Sequence, residues 1–331
     1  MPRRRLIATA GLAGAGLGSM LMAGTLDRRR IEADPLWAEL QRVPRGESMT
    51  VEGTGGTPLH AEVYGPADAP PVVLVHGWTC SLRFWRLQVH DLAADHRVVA
   101  YDLRGHGDSG APADRDWSLD TLAADLEAVL VACVGDDRPA LLAGHSLGAM
   151  TIAAWAGRYN DSVGPRAKAA ALINTGLGDL ISESLLLKTP ERLSAGRQLI
   201  GAAVLGAGVP LPKRPDPISH RAVRAIALSP SASAAAVRYS EEMVLSCDHR
   251  VRAGCGRELS RLDLLHTVEH LNAPTLVIAG TRDRLTPPAH AHKLAEALPQ
   301  SRGVLELEGS GHMSPLERPV EVNAALRQLV L

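Results

Sequence analysis

The chain has 331 residues, 46% of them hydrophobic, enough to bury a sizeable core as one large domain or two small ones. Its 35 lysines and arginines against 36 aspartates and glutamates leave a formal charge of -1, which excludes the basic footprint of a protein that binds nucleic acid by neutralising phosphates. Charged residues at 21% exclude a natively unfolded composition, and aromatics at 3% leave few stacking platforms, so any pocket is expected to be mainly aliphatic.

Arg3, Arg4 and Arg5 precede an uncharged stretch, residues 6–26, which a second triplet, Arg28 to Arg30, follows. Paired arginines before a Gly/Ala-rich apolar segment resemble a twin-arginine export signal, and 21 residues of helix would also reach roughly 30 Å, the thickness of a bilayer core. Residues 1–30 are therefore expected to be a signal or membrane anchor, with membrane association through residues 6–26; a cytoplasmic protein is the alternative. Residues 31–48, rich in Arg, Glu and Pro, are expected to be a linker.

Two alternating stretches between Met49 and Tyr64 flank Thr-Gly-Gly-Thr-Pro, which predicts an antiparallel hairpin. The pattern then changes to short aliphatic runs without polar alternation at 71–77, 97–102, 139–146, 169–176 and 273–283, with a last strand at 303–309. Such runs suit strands covered on both faces. Helical spacing at 118–134, at 147–159 and from Pro319 to Leu331 lies between and after them, so the fold class is α/β: a mostly parallel sheet with helices on both faces. Residues 177–270 offer helical pieces but no strand, and prolines cluster at 210, 212, 215 and 217. That interval is expected to be an inserted helical cap, leaving 49–176 and 271–331 as the core.

The residues that carry chemistry lie where predicted strands end. Gly144-His145-Ser146-Leu147-Gly148 joins a strand to a helix, a context in which the serine of G-x-S-x-G stands clear of both elements. Asp283 follows the strand at 273–283, and His312 follows the strand at 303–309. Chain order Ser, Asp, His places three groups on one sheet edge, where ligands of open α/β sheets bind. A serine hydroxyl needs a neutral imidazole to take its proton, and the imidazole needs a carboxylate to fix its tautomer. Ser146, His312 and Asp283 are the expected catalytic residues.

With these motifs, His76-Gly77-Trp78 after one strand and Asp102-Leu-Arg104-Gly-His106-Gly-Asp108-Ser109 after the next, the chain resembles the α/β-hydrolase family over roughly residues 50 to 331. The resemblance implies an α/β-hydrolase fold and an oxyanion hole made by the backbone N–H groups of Trp78 and Leu147. It gives His76, His106 and Asp108 structural roles, His145 a packing role beside the serine, and calls for no cofactor or metal. Serine in the elbow, where dehalogenases and epoxide hydrolases carry aspartate, implies acyl transfer on a small-molecule acyl substrate. Short to medium acyl esters are expected. A cofactor-free haloperoxidase or perhydrolase shares every motif, and a noncatalytic small-ligand receptor would keep the cleft without the reaction.

The remaining signals are weaker. His266, Glu269 and His270 match the inverted zinc-peptidase pattern, but no third ligand is indicated, and His290 and His292 are expected on a solvent-facing helix. Cys80, Cys133, Cys247 and Cys255 show no zinc-ligand spacing; free thiols are expected, with a Cys247–Cys255 bridge open to an exported protein. Oligomeric state is not legible.

Overall fold

The computed structural model describes residues 27–135, 138–184 and 194–330. Eight strands form one sheet: β1 Glu47–Glu52, β2 Pro58–Tyr64, β3 Pro71–Val75, β4 Arg97–Tyr101, β5 Ala140–His145, β6 Ala167–Ile173, β7 Thr275–Gly280 and β8 Ser301–Leu307. Their order is β1-β2-β4-β3-β5-β6-β7-β8. The β1–β2 and β2–β4 pairs are antiparallel and every other pair is parallel.

The helices used below are α1 Pro35–Gln41, α2 Arg86–Leu92, α3 Leu119–Val129, α4 Leu147–Arg158, α5 Asn160–Arg166, α6 Leu180–Glu183, α7 Ser194–Gly206, α8 Pro217–Ala227, α9 Ala234–Ser246, α10 His249–Leu259, α11 Pro288–Ala297, α12 Ser314–Glu317 and α13 Pro319–Val330. β3 explains the two-sided covering: Val73 and Val75 join a core with α3, α4 and α11, while Val72 and Leu74 join a second core with α2, α13 and α9. Both faces are buried, so the strand reads as an unbroken aliphatic run.

Among the described residues, helices α6 to α10 interrupt the chain between β6 and β7, where the cap is expected. Its ends meet: Gly178 and Asp263 form an isolated antiparallel bridge, and the Leu264 N–H donates to Leu177 O at 2.7 Å.

The stretch expected to be a linker is different. Residues 27–32 are helical, α1 follows, and β1 starts at Glu47. Asp34 caps α1 through Leu36 N, and its other oxygen accepts the N–H of Ala235 at the start of α9, while Leu40 is fully buried. Composition disguised a short docked helix, because Arg and Glu face solvent and one leucine makes the burial. Residues 1–26 lie outside the described residues, so the segment expected to anchor or export the chain is not described. Among the described residues, no helix is long and apolar enough to cross a membrane. All four cysteines are free, Cys247 and Cys255 included.

Candidate active site

Ser146 stands between β5 and α4 with φ 51° and ψ -115°. A non-glycine residue in such a conformation costs about 1–3 kcal/mol, held in place only by its surroundings. The flanking glycines make the turn possible. A Cβ on Gly148 would sit 2.1 Å from Val75 O, and one on Gly144 would sit 2.5 Å from Ala149 N. The elbow is thus wedged between its own helix and the neighbouring strand, leaving the serine partly exposed.

Asp283 and His312 come together. The His312 Nδ1–H donates to Asp283 Oδ2 at 2.8 Å, which leaves Nε2 bare and able to accept a proton. The carboxylate is saturated: Oδ1 accepts from Leu285 N and Thr286 N, and Oδ2 also accepts from Thr286 Oγ1 at 2.8 Å and Asn174 Nδ2 at 3.0 Å. Burial pushes the Asp283 pKa up, but the charge and hydrogen bond of His312 and the donors of Thr286 outweigh it and hold the carboxyl below the usual aspartate range.

The histidine loop reaches the elbow through His145. The His145 Nε2–H donates to His312 O at 2.8 Å, and the two rings lie 4.9 Å apart, with Phe84 stacked on His145 at 4.4 Å. Burial, reinforced by His312, pushes the His145 pKa down to about 3, so its ring is neutral and serves as a spacer. Among the described residues, the Ser146 hydroxyl makes no hydrogen bond to His312 or to any other group. Such contacts are often long in free enzymes and tighten around substrate.

Trp78 follows β3 and Leu147 opens α4, so both backbone N–H groups lie on the serine's edge of the sheet. Neither finds an acceptor among the described residues. The Trp78 indole donates to Arg252 O of α10 at 3.1 Å, tying this loop to the cap. His76 is fully buried and its tautomer is fixed: Nδ1–H donates to Gly77 O, and Nε2 accepts from Leu103 N. His106 packs edge-on against His76 at 5.3 Å, and burial, with His76 adding to it, pushes its pKa down to about 3. Both histidines therefore hold loops.

Two contributors escaped the sequence reading. Asn174, at φ 48° after β6, bridges Asp283 and Gly311 O through its carboxamide. Thr286 could have been found, because a hydroxyl three residues after an aspartate in Asp-Arg-Leu-Thr-Pro is a local turn signature. His290 corrects another expectation. It lies on α11 but is 4% exposed, facing Glu183, whereas His292 faces solvent as expected.

One group of three among the described residues could gather round a metal: His60, Asp102 and Asp108, with ligand atoms within 4.8 Å of one another. His266, Glu269 and His270 do not converge in that way. The Asp102 group already has work as a latch. Its Oδ1 accepts Leu82 N at 2.7 Å, and its Oδ2 accepts Asp108 N at 2.9 Å and the His60 Nδ1–H at 3.3 Å. The bond to Asp102 raises the His60 pKa. Its stabilisation is then fully present below about pH 6.5 and is lost as pH rises through the folded-state value. The stability difference between wild type and His60→Gln, measured by urea denaturation, is expected to be largest in mild acid and to shrink towards alkaline pH. A difference that grows with pH would contradict this.

Comparisons with known proteins agree with the fold. A profile of the alpha/beta hydrolase fold matches residues 70–319. An Escherichia coli protein with the provisional name carbamate hydrolase RutD is 30% identical over 262 residues, covering 78% of this chain and 91% of the relative. Among solved structures, an esterase from Thermogutta terrifontis is 25% identical with a TM-score of 0.67, covering 86% of this chain and 97% of the other. A bromoperoxidase from Bacillus anthracis, 22% identical with a TM-score of 0.69 over 86% of this chain and 99% of its own, shares the fold. A sheet of this order, a strained serine elbow and relatives that span the core lead to one assignment: the chain belongs to the α/β-hydrolase family and is an enzyme of hydrolase type.

Proposed function

We propose that the protein is a serine hydrolase that cleaves acyl esters through an acyl-enzyme, with Ser146 as nucleophile, His312 as base and Asp283 as its orienting acid. The observation that carries this is the 2.8 Å Asp283–His312 bond on the sheet edge where Ser146 is held in a strained turn. As Ser146 Oγ attacks the ester carbonyl, His312 Nε2 takes its proton, and Asp283 stabilises the imidazolium that forms. The N–H groups of Trp78 and Leu147 would hold the oxyanion. Collapse expels the alcohol, which takes the proton from His312. A water activated by the same nitrogen then releases the acid and frees the serine.

A carbamate is the second substrate reading, favoured by the relative named for that reaction. It asks for the same attack on a carbonyl flanked by nitrogen. The N-terminal residues 6–26 are proposed to anchor or export the chain, an assignment that release of the intact protein by carbonate washing, with its N-terminus uncut, would remove.

The deciding experiment is labelling with a fluorophosphonate followed by peptide mapping. Label on Ser146 that disappears in His312→Ala is expected, and label elsewhere or none would overturn the triad. An acyl-chain series of activated esters, assayed beside a carbamate and beside peracid formation, then ranks the substrates.

A further inference from the structure

Among the described residues, exposed large hydrophobics concentrate on the cap, where Leu199, Ile200, Val209, Leu211, Ile218 and Ile226 fall within α7, the following loop and α8. α8 is unusual for a helix packed on a protein. Val223 turns inward, but Ile218, Ala222, Ala225 and Ile226 form an outward apolar face, with Ile218 66% exposed. Basic residues flank it: Lys213, Arg214, Arg221 and Arg224, against the single acid Asp216, which is spent capping α8 through Ile218 N and Ser219 N. Among the described residues, no carboxylate pairs with Lys213, Arg214 or Arg221.

The described chain begins beside the start of α8. Asp27, Glu32 and Trp37 line a cavity of about 390 Å³ together with Pro215, Pro217 and His220, the two acids pairing with Arg30 and Arg28, and Asp34 accepts the N–H of Ala235. Asp27, which follows the uncharged residues 6–26 in sequence, therefore stands by the start of α8.

We propose that α8 and the loop before it rest on an anionic phospholipid surface, the same bilayer that residues 6–26 enter. Charge selects this occupant. Residues 6–26 contain no carboxylate to answer the four cations if they folded back onto α8, and a second copy would set the same basic face against itself. Anionic lipid meets both the apolar and the basic side chains. The docked face would adjoin the candidate active site, because the last carbonyl of α8, Ala227 O, accepts the N–H of His312 at 3.0 Å.

The test is amide hydrogen exchange of the full chain with and without phosphatidylglycerol vesicles. Residues 207–227 are expected to slow at least about fivefold on the vesicles, while β1 and β2 stay unchanged. Ile218→Asp combined with Ile226→Asp should abolish that slowing, and Lys213→Glu with Arg214→Glu should weaken it. Hydrolysis of a water-soluble ester should be unaffected in both variants. Protection of 207–227 already present without vesicles would mean that residues 6–26 or a second copy covers the face, and would overturn the proposal. So would protection that survives the double aspartate variant, or vesicle protection confined to residues before α8. None of these readings depends on the triad, so failure of the catalytic assignment would show separately.

Discussion

Ser146→Ala and His312→Ala are each expected to lower kcat/KM on an activated ester by about ten-thousand-fold, and the double variant to lose little more than either alone. The reason is cooperation within one proton transfer. Without His312 the hydroxyl keeps its proton, and without the hydroxyl the imidazole has nothing to deprotonate. Asp283→Asn is expected to fall nearly as far, since a carboxamide can present the wrong tautomer partner to Nδ1. It should also cost stability, because five donors converge on that carboxylate and an amide cannot accept them all. Steady-state kinetics on all four variants, normalised to folded protein, decide it. Additive losses from Ser146→Ala and His312→Ala would show two independent contributions and remove the relay.

Asp125→Ala is expected to destabilise the fold by about 3–5 kcal/mol, the usual consequence of leaving a buried charge without its partner. Arg104 and Asp125 are 1% and 0% exposed and meet twice, Nε to Oδ2 at 2.6 Å and Nη2 to Oδ1 at 2.7 Å. Thr54 of the β1–β2 turn joins them, its N–H donating to Asp125 and its carbonyl accepting from Arg104. The pair therefore fastens the hairpin to α3. The midpoint of thermal unfolding should drop by roughly 5–15 °C. Arg104→Met with Asp125→Leu should lose less than Asp125→Ala, because no charge is then stranded. A double variant worse than the single would instead point to packing as the source of the loss.

Sequence order proved most informative where a local pattern is a direct image of a local environment. β3 is aliphatic throughout because both its faces are covered, and the Gly144–Gly148 turn is legible because a wedge between Val75 and Ala149 admits nothing larger than glycine. Asp283 and His312 stand out through their place after strands, and their side chains meet at 2.8 Å. What escaped was set by partners distant in the chain. α1 looked like a linker because its anchoring acceptor, Asp34, is answered by Ala235, 201 residues away. His290 carries no mark of burial in its own helix; Gly176 and Glu183 supply it from elsewhere. The His60–Asp102 latch likewise depends on two antiparallel strands whose pairing no short motif announces.

The bridge between Gly178 and Asp263 closes the cap at its own base. An insertion that leaves and re-enters a sheet at one point lets its outer pieces, α7 and the loop before α8, change while β6 and β7 keep their register, whereas α9 and α10 are held by their share of the two cores. Replacing all of residues 178–263 would strip those covers from the sheet, so a graft is expected to be tolerated only in the outer pieces.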